Sequence, residues 1–134
     1  MTLDEDVVRL AKGPNLATVV TLMPDGQPQA LPTWVDTDGE QVLINTEPIR
    51  QRAKNLTRDP RITVLIQSAT NAWDWAEIRG SVTETVGGQE ALDHINELSR
   101  RYLGADYGLP IGAGGRIILK VTPTKVNTAR SVTS

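Results

Sequence analysis

Alternating apolar and polar positions predict that most of this chain is β-strand. Turn-forming residues separate six stretches rich in β-branched and other apolar residues, at 16–23, 27–35, 41–45, 61–67, 75–85 and 116–121. The turns at 24–26 and 36–39 leave only a few residues between the first three strands, so these strands should pair antiparallel. The last strand is expected to end before Pro123.

Helical spacing of apolar residues predicts three helices, over residues 3–12, from Thr46 to about Arg58, and over 89–103. Thr46 is a candidate N-cap of the second helix, and Pro48 is tolerated in its first turn. Gly104 is placed to end the third helix. Residues 108–115 include four glycines and one proline, which predicts a loop and a candidate lid. The expected fold is mainly β with α (α+β), a six-stranded antiparallel barrel with covering helices.

Composition narrows the class of protein. A length of 134 residues predicts one domain, and the absence of cysteine excludes disulfides, thiolate nucleophiles and thiolate metal sites. The absence of cysteine fits a cytoplasmic location, and the acidic first residues do not resemble a signal peptide. There is no apolar run of about 18 residues that could span a membrane. A net charge of −2 argues against extended binding to nucleic acid or an anionic membrane.

Five cationic side chains nevertheless cluster in residues 50–61. On an ideal helix, Arg50 and Arg52 flank the apolar stripe that faces the sheet, whereas Lys54 and Arg58 point to water. Two guanidinium groups beside the free amides of a first helical turn can bind a phosphate. The alternative is a solvated cationic face, which is the commoner fate of such charge runs. The apolar stripe comprises Ile49, Ala53 and Leu56.

The ordered set of motifs resembles the pyridoxamine 5′-phosphate oxidase-like superfamily of flavin and deazaflavin proteins. The first half contributes PDGQP at 24–28, LPTW at 31–34, INT at 44–46, RQRAKNL at 50–56 and DPR at 59–61. The second half, with WAEIRG at 75–80, DHI at 93–95 and RYLG at 101–104, is similar to the B-type reductases that use the deazaflavin coenzyme F420.

The resemblance implies a Greek-key split β-barrel that forms a homodimer, with coenzyme F420, or alternatively FMN, in a groove where two barrels meet. It implies that Arg50 and Arg52 hold the cofactor phosphate; Lys54 is a weaker candidate, because helix geometry places it away from them. The other implied cofactor-binding residues are Pro32, Thr33 and Trp34 beneath the ring, Asn45 and Thr46 before the phosphate helix, and Trp73 and Trp75 beside the ring or substrate. Trp73 and Trp75 alternate in a predicted strand and so share a face, and the alternative for both is plain packing in the core or at a dimer interface.

The implied function is an F420-dependent oxidoreductase that transfers hydride from the reduced deazaflavin to an electron-poor conjugated substrate, such as a quinone or enone. The alternatives are an FMN-dependent oxidoreductase, a non-catalytic F420 carrier and a haem-binding relative; the lack of a well-placed histidine argues against the last. No catalytic residue is assigned, and no metal site is expected. The tail lacks the extended strand whose Arg and His residues grip pyridoxal phosphate, which argues against vitamin B6 oxidation.

Few titratable residues are candidates for proton transfer. His94 is the only histidine, and its position one step off the apolar stripe predicts a surface or boundary residue. Tyr107, beside the glycine-rich loop, is the better candidate for a hydroxyl facing the substrate, whereas Tyr102 is expected in the core. The carboxylates Glu77, Glu84 and Asp93 have no spacing typical of a metal site and are expected to be solvated or paired.

Overall fold

A computed structural model describes residues 2–131, which form seven strands and three helices. The strands are β1 (Ala17–Leu22), β2 (Pro28–Thr33), β3 (Asp36–Thr37), β4 (Val42–Thr46), β5 (Arg61–Gln67), β6 (Trp75–Val86) and β7 (Ile117–Thr128). The helices are α1 (Glu5–Lys12), α2 (Gln51–Arg58) and α3 (Gly88–Leu103).

The seven strands form one antiparallel sheet in the order β2-β1-β5-β6-β7-β4-β3. The edge strands β2 and β3 lie at opposite ends of this order, yet only Trp34 and Val35 connect them along the chain. Such a short connection spans at most about 11 Å, whereas a flat sheet of seven strands would be about 29 Å wide. The sheet therefore curls until its edges approach each other, which confirms the predicted split β-barrel.

Along the strands, every second side chain points into the barrel, and these apolar side chains fill its interior. In β5, for example, Ile62, Val64 and Ile66 are buried while the residues between them are partly exposed. Helix α1 begins after Asp4, whose carboxylate accepts the backbone N–H of Asp6, and packs its apolar face on the barrel. The interior comprises, besides these strand residues, Val7, Leu10, Val19, Val35, Val42, Ile44, Ile78, Leu119 and Val121.

The second helix begins later than its sequence signals indicated. Thr46 is not its N-cap, because Thr46 is the last residue of β4 and pairs with Ile117 of β7. Residues 47–50 form a turn instead, and Arg50 occupies the N-cap position without a side-chain capping bond. Ile49 is therefore 67% exposed and does not belong to the buried stripe, whereas Ala53 and Leu56 are buried as predicted.

Two strand predictions also need correction. The predicted turn at 36–39 contains a seventh strand, since Asp36 and Thr37 pair with β4 and only the following residues turn. The last strand does not stop before Pro123. It continues to Thr128, because Pro123 lies at a shift in register opposite Gly80, where a missing N–H donor is tolerated.

Candidate functional site

A groove of about 720 Å³ opens where the two edges of the curled sheet approach each other. The β2–β3 connection forms one wall, and the end of β4 and the start of α2 form another. The end of α3 and the loop after it complete the rim. The lining residues are Leu16, Pro32, Thr33, Trp34, Asn45, Thr46, Arg50, Arg52, Ile95, Leu103, Tyr107, Gly108, Leu109 and Arg116.

One end of the groove carries three arginines. Glu47 contacts two of them: its Oε1 lies 3.3 Å from Arg50 Nη2 and 3.5 Å from Arg116 Nη1. Arg52 Nη1 is buried and has no hydrogen-bond partner among residues 2–131. Burial, and then repulsion by Arg50 and Arg116, lowers the pKa of Arg52. A buried donor without an acceptor costs about 1–3 kcal/mol, and the excess of positive charge at this end of the groove would favour an anionic ligand.

The middle of the groove is aromatic. The ring of Trp34 stacks on that of Tyr102, with centroids 5.2 Å apart, and meets the edge of Tyr107 at 6.3 Å. The hydroxyl of Tyr102 accepts the N–H of Val35 and donates to the carbonyl of Asn15, so it fixes the β2–β3 connection. Burial raises the pKa of Tyr102, which keeps this hydroxyl protonated. A planar ligand would therefore meet a preformed aromatic wall.

Asn45 joins the groove to the interior. Its Oδ1 accepts from Arg116 Nε at 2.8 Å, while its Nδ2 donates to the carbonyl of Ala91 at 2.9 Å. The same Nδ2 lies 3.1 Å from His94 Nδ1, and His94 Nε2 lies 3.0 Å from Asp36 Oδ2. The prediction of a surface or boundary His94 is therefore wrong: the residue is 6% exposed, because it lies on the face of α3 that contacts Asp36 of β3 and Asn45 of β4.

Asp36 anchors the inner end of this chain of contacts. Its Oδ1 accepts from Lys12 Nζ and from Arg101 Nη2, each at 3.0 Å. Burial alone would raise the pKa of this carboxyl, but the bonds from His94, the Thr37 backbone, Lys12 and Arg101 outweigh it and hold the pKa well below its usual range. The carboxylate is thus ionised and fully paired at neutral pH.

The structure brings together seven residues that the resemblance had pointed to, and their roles toward a cofactor remain predictions. They are Pro32, Thr33, Trp34, Asn45, Thr46, Arg50 and Arg52. The other three lie outside the groove of this chain. Lys54 is exposed on α2, as helix geometry indicated, and Trp75 starts β6. Trp73 is 84% exposed in the turn before β6, so it does not share a strand face with Trp75.

Sequence reasoning missed Arg116 and the apolar rim. Arg116 follows the glycine-rich loop as an isolated cation, and no local spacing relates it to Arg52. Leu16, Leu103 and Leu109 are exposed on the rim, and only the fold brings them together. Tyr107, the predicted substrate-side hydroxyl, does line the groove, and the guanidinium carbon of Arg116 lies 5.3 Å from its ring centroid.

Other classes of site receive no support from residues 2–131. This part of the chain has no group of three or more His, Cys, Asp or Glu side chains arranged to hold a metal ion. Its helices are all too short or too polar to cross a lipid bilayer. The carboxylates of Glu77, Glu84 and Asp93 contact Arg79, Lys120 and Gln89 respectively, as expected for paired surface groups.

Comparison with solved structures finds the same fold in proteins of several kinds. A protein named F420 reductase superposes with a TM-score of 0.80 and 26% identity, over 93% of this chain and 98% of that one. A conserved hypothetical protein of Mycobacterium tuberculosis gives a TM-score of 0.73 and 21% identity, over 100% and 91%. General stress protein 26 of Bacillus anthracis gives a TM-score of 0.72 and 14% identity, over 96% of this chain and 94% of that one. The matches to the Mycobacterium tuberculosis and Bacillus anthracis proteins support the fold alone.

The family comparison covers almost the whole chain. Residues 3–130 match the family model described as pyridoxamine 5′-phosphate oxidase. The match includes both walls of the groove and all three arginines of its cationic end. The chain therefore belongs to the pyridoxamine 5′-phosphate oxidase family of split β-barrel proteins.

Proposed function

We propose that the protein is a reductase that binds coenzyme F420 in this groove and uses it to reduce an electron-poor conjugated substrate. The observation that carries the proposal is the buried, unpartnered Nη1 of Arg52, set between Arg50 and Arg116 at one end of a groove with an aromatic wall. An isolated phosphate site would not need that wall. The named F420 reductase with the same fold supports the choice of a deazaflavin.

The residues present fit a cofactor that is anionic at one end and planar at the other. Arg50 and Arg52 would hold a phosphate, since a guanidinium matches phosphate oxygens with two parallel N–H donors. The first amides of α2 lie beside them and add partial positive charge. Pro32, Thr33 and Trp34 would lie along the ring, and Asn45 and Thr46 would lie between ring and phosphate.

The rest of the site would position the substrate and exclude water. Leu16, Leu103 and Leu109 form an apolar rim that favours a hydrophobic conjugated compound. When bound, a reduced deazaflavin supplies a hydride, so the protein needs no nucleophile of its own. Tyr107 lines the groove, and its hydroxyl is our candidate donor of the proton that completes the reduction.

A homodimer belongs to the proposal. The groove of this chain is open on one side, and the large apolar side chains of Ile49 and Trp73 are exposed. In a homodimer, the second copy would cover the open side of the groove and bury such side chains. Analytical ultracentrifugation of the purified chain should give twice the mass of one chain, and a monomer that still binds cofactor would remove this part of the proposal.

The test is a binding titration followed by a turnover assay. Apo-protein is titrated with F420, FMN and their phosphate-free analogues while tryptophan fluorescence is recorded. We expect micromolar or tighter binding of F420, weaker binding of the phosphate-free deazaflavin, and oxidation of reduced F420 when quinones or enones are added. Binding of FMN without F420 would instead indicate an FMN enzyme, and tight F420 binding without hydride transfer would indicate a carrier.

A further inference from the structure

A buried polar chain links the cationic end of the groove to the far side of α3. It runs from Arg116 through Asn45 and His94 to Asp36. We propose that Arg116 is a third anion-binding residue of the groove and that neutral His94, through Asn45, positions it. This inference rests on the proposed function, since it requires that the groove binds an anionic cofactor.

Arg116 has donors left for a ligand. Its Nε donates to Asn45 Oδ1 at 2.8 Å, its Nη2 to the backbone carbonyl of Asn45 at 3.4 Å, and its Nη1 to Glu47 at 3.5 Å. A guanidinium has five N–H donors, so at most two remain, and the side chain of Tyr107 also interacts with this guanidinium. Arg116 also lines the groove together with Arg50 and Arg52. Its plane is thus fixed on one edge by Asn45 and is available to an anion on the other.

The amide of Asn45 can point in only one direction. Its two N–H groups go to the carbonyl of Ala91 and to His94 Nδ1, which leaves Oδ1 for Arg116. A flipped amide would place N–H groups against the Nε–H of Arg116. The pairing therefore assigns the proton of His94 to Nε2, where it is donated to Asp36, and leaves Nδ1 as an acceptor.

Protonation of His94 Nδ1 would break this chain. Two N–H donors would then face each other across the 3.1 Å contact with Asn45. The Asp36 carboxylate does not repair that contact, because it lies against the other ring nitrogen, Nε2, and already accepts from Lys12 of α1 and Arg101 of α3. Loss of the acceptor at Nδ1 should therefore loosen Arg116 and weaken anion binding.

Calorimetric titration with F420 at pH 7.5 tests the proposal. Arg116→Gln and His94→Leu should each weaken F420 binding about tenfold or more, the effect of losing one charge-assisted bond. The affinity of these variants for the phosphate-free deazaflavin should change less than twofold. His94→Gln keeps one donor for Asp36 and one acceptor for Asn45, so it should bind F420 like wild type.

The controls separate this inference from the proposed function. Arg61→Gln removes an exposed arginine outside the groove and should bind F420 normally. If Arg52→Met weakens F420 binding but Arg116→Gln and His94→Leu match wild type, the inference is overturned and the proposed function stands. If wild type binds neither F420 nor FMN, the proposed function and this inference are both wrong.

A measurement on the unmutated chain tests the inference even if the substituted variants fail to fold. Because His94 is the only histidine, its imidazole ¹⁵N signals need no assignment in a tag-free chain. We expect the neutral Nε2–H tautomer at pH 7.5, because Nδ1 accepts from Asn45 and Nε2 donates to Asp36. The Nδ1–H tautomer, or a doubly protonated ring, would overturn the inference.

Discussion

Replacing Arg52 by methionine should weaken cofactor binding and at the same time stabilise the apo-protein. Methionine keeps the aliphatic stem and removes the guanidinium. In the apo-protein this guanidinium has a buried Nη1 without an acceptor, and Arg50 and Arg116 repel it. The substitution thus deletes an unfavourable interaction before ligand arrives, and it deletes a favourable one afterwards.

Both magnitudes follow from the same contacts. Loss of charge-assisted bonds to a phosphate costs about 1.5–3 kcal/mol, which raises the dissociation constant for F420 about 10- to 150-fold. Relief of the unsatisfied donor should stabilise the apo-protein by about 1 kcal/mol, the low end of the range for a buried unpaired group. For a chain of this length, that corresponds to an increase in Tm of about 4 °C.

Two assays on one preparation decide the matter. Differential scanning calorimetry without ligand gives the change in Tm, and fluorescence titration gives the dissociation constant for F420. Lys54→Met is the matched control, because Lys54 is a cation on the exposed face of the same helix and should change neither value. A Tm that falls for Arg52→Met while F420 affinity stays within twofold would refute our account of this end of the groove.

Three further substitutions probe other parts of the structure. Trp34→Ala should weaken F420 and its phosphate-free analogue equally, by roughly tenfold, because it removes ring contacts; unequal losses by titration would contradict this. Gly80→Ala should destabilise the fold by about 1–3 kcal/mol in urea, since a Cβ there meets the carbonyl of Thr122; a change below about 0.5 kcal/mol would contradict the close approach. Asp36→Asn should cost about 3 kcal/mol at pH 7. Because the pKa of Asp36 is lowered on folding, its contribution is present above about pH 4 and is lost as pH falls, so the variant should lose less stability between about pH 4 and 2 than wild type.

Local signals predicted the parts of the fold that local chemistry determines. The strand at Arg61–Gln67 has the predicted bounds, because its β-branched alternation is bracketed by proline and polar residues. Gly104 ends α3 with a left-handed conformation, φ 80°, that glycine adopts without strain. The ends of elements failed where a distant partner decided them. Thr46 has the side chain of an N-cap, but pairing with Ile117 keeps it in β4.

The residues of the candidate site likewise divide into those that local sequence signals predict and those that only distant contacts position. Arg50 and Arg52 were accessible to sequence reasoning because they are close to a helix start that sequence locates to within a few residues. Arg116 was not, because its link to Asn45 joins residues 71 positions apart. His94 was misplaced for the same reason: its position on the helix suggested a boundary residue, but the carboxylate that makes its burial tolerable belongs to Asp36, 58 positions away.

The late start of α2 explains why the groove keeps an excess of charge. Because the chain turns at residues 47–50, Glu47 contacts both Arg50 and Arg116, and its single carboxylate leaves Arg52 without an acidic partner. The buried side of α2 consists of Ala53, Asn55 and Leu56, so Arg50 stays exposed and Arg52 half-buried, whereas Arg116 is buried before β7. An anion that neutralises them binds the folded state alone and therefore stabilises it. Affinity and stability thus depend on the same charges, and a substitution that removes one of these arginines to stabilise the apo-protein should weaken the complex.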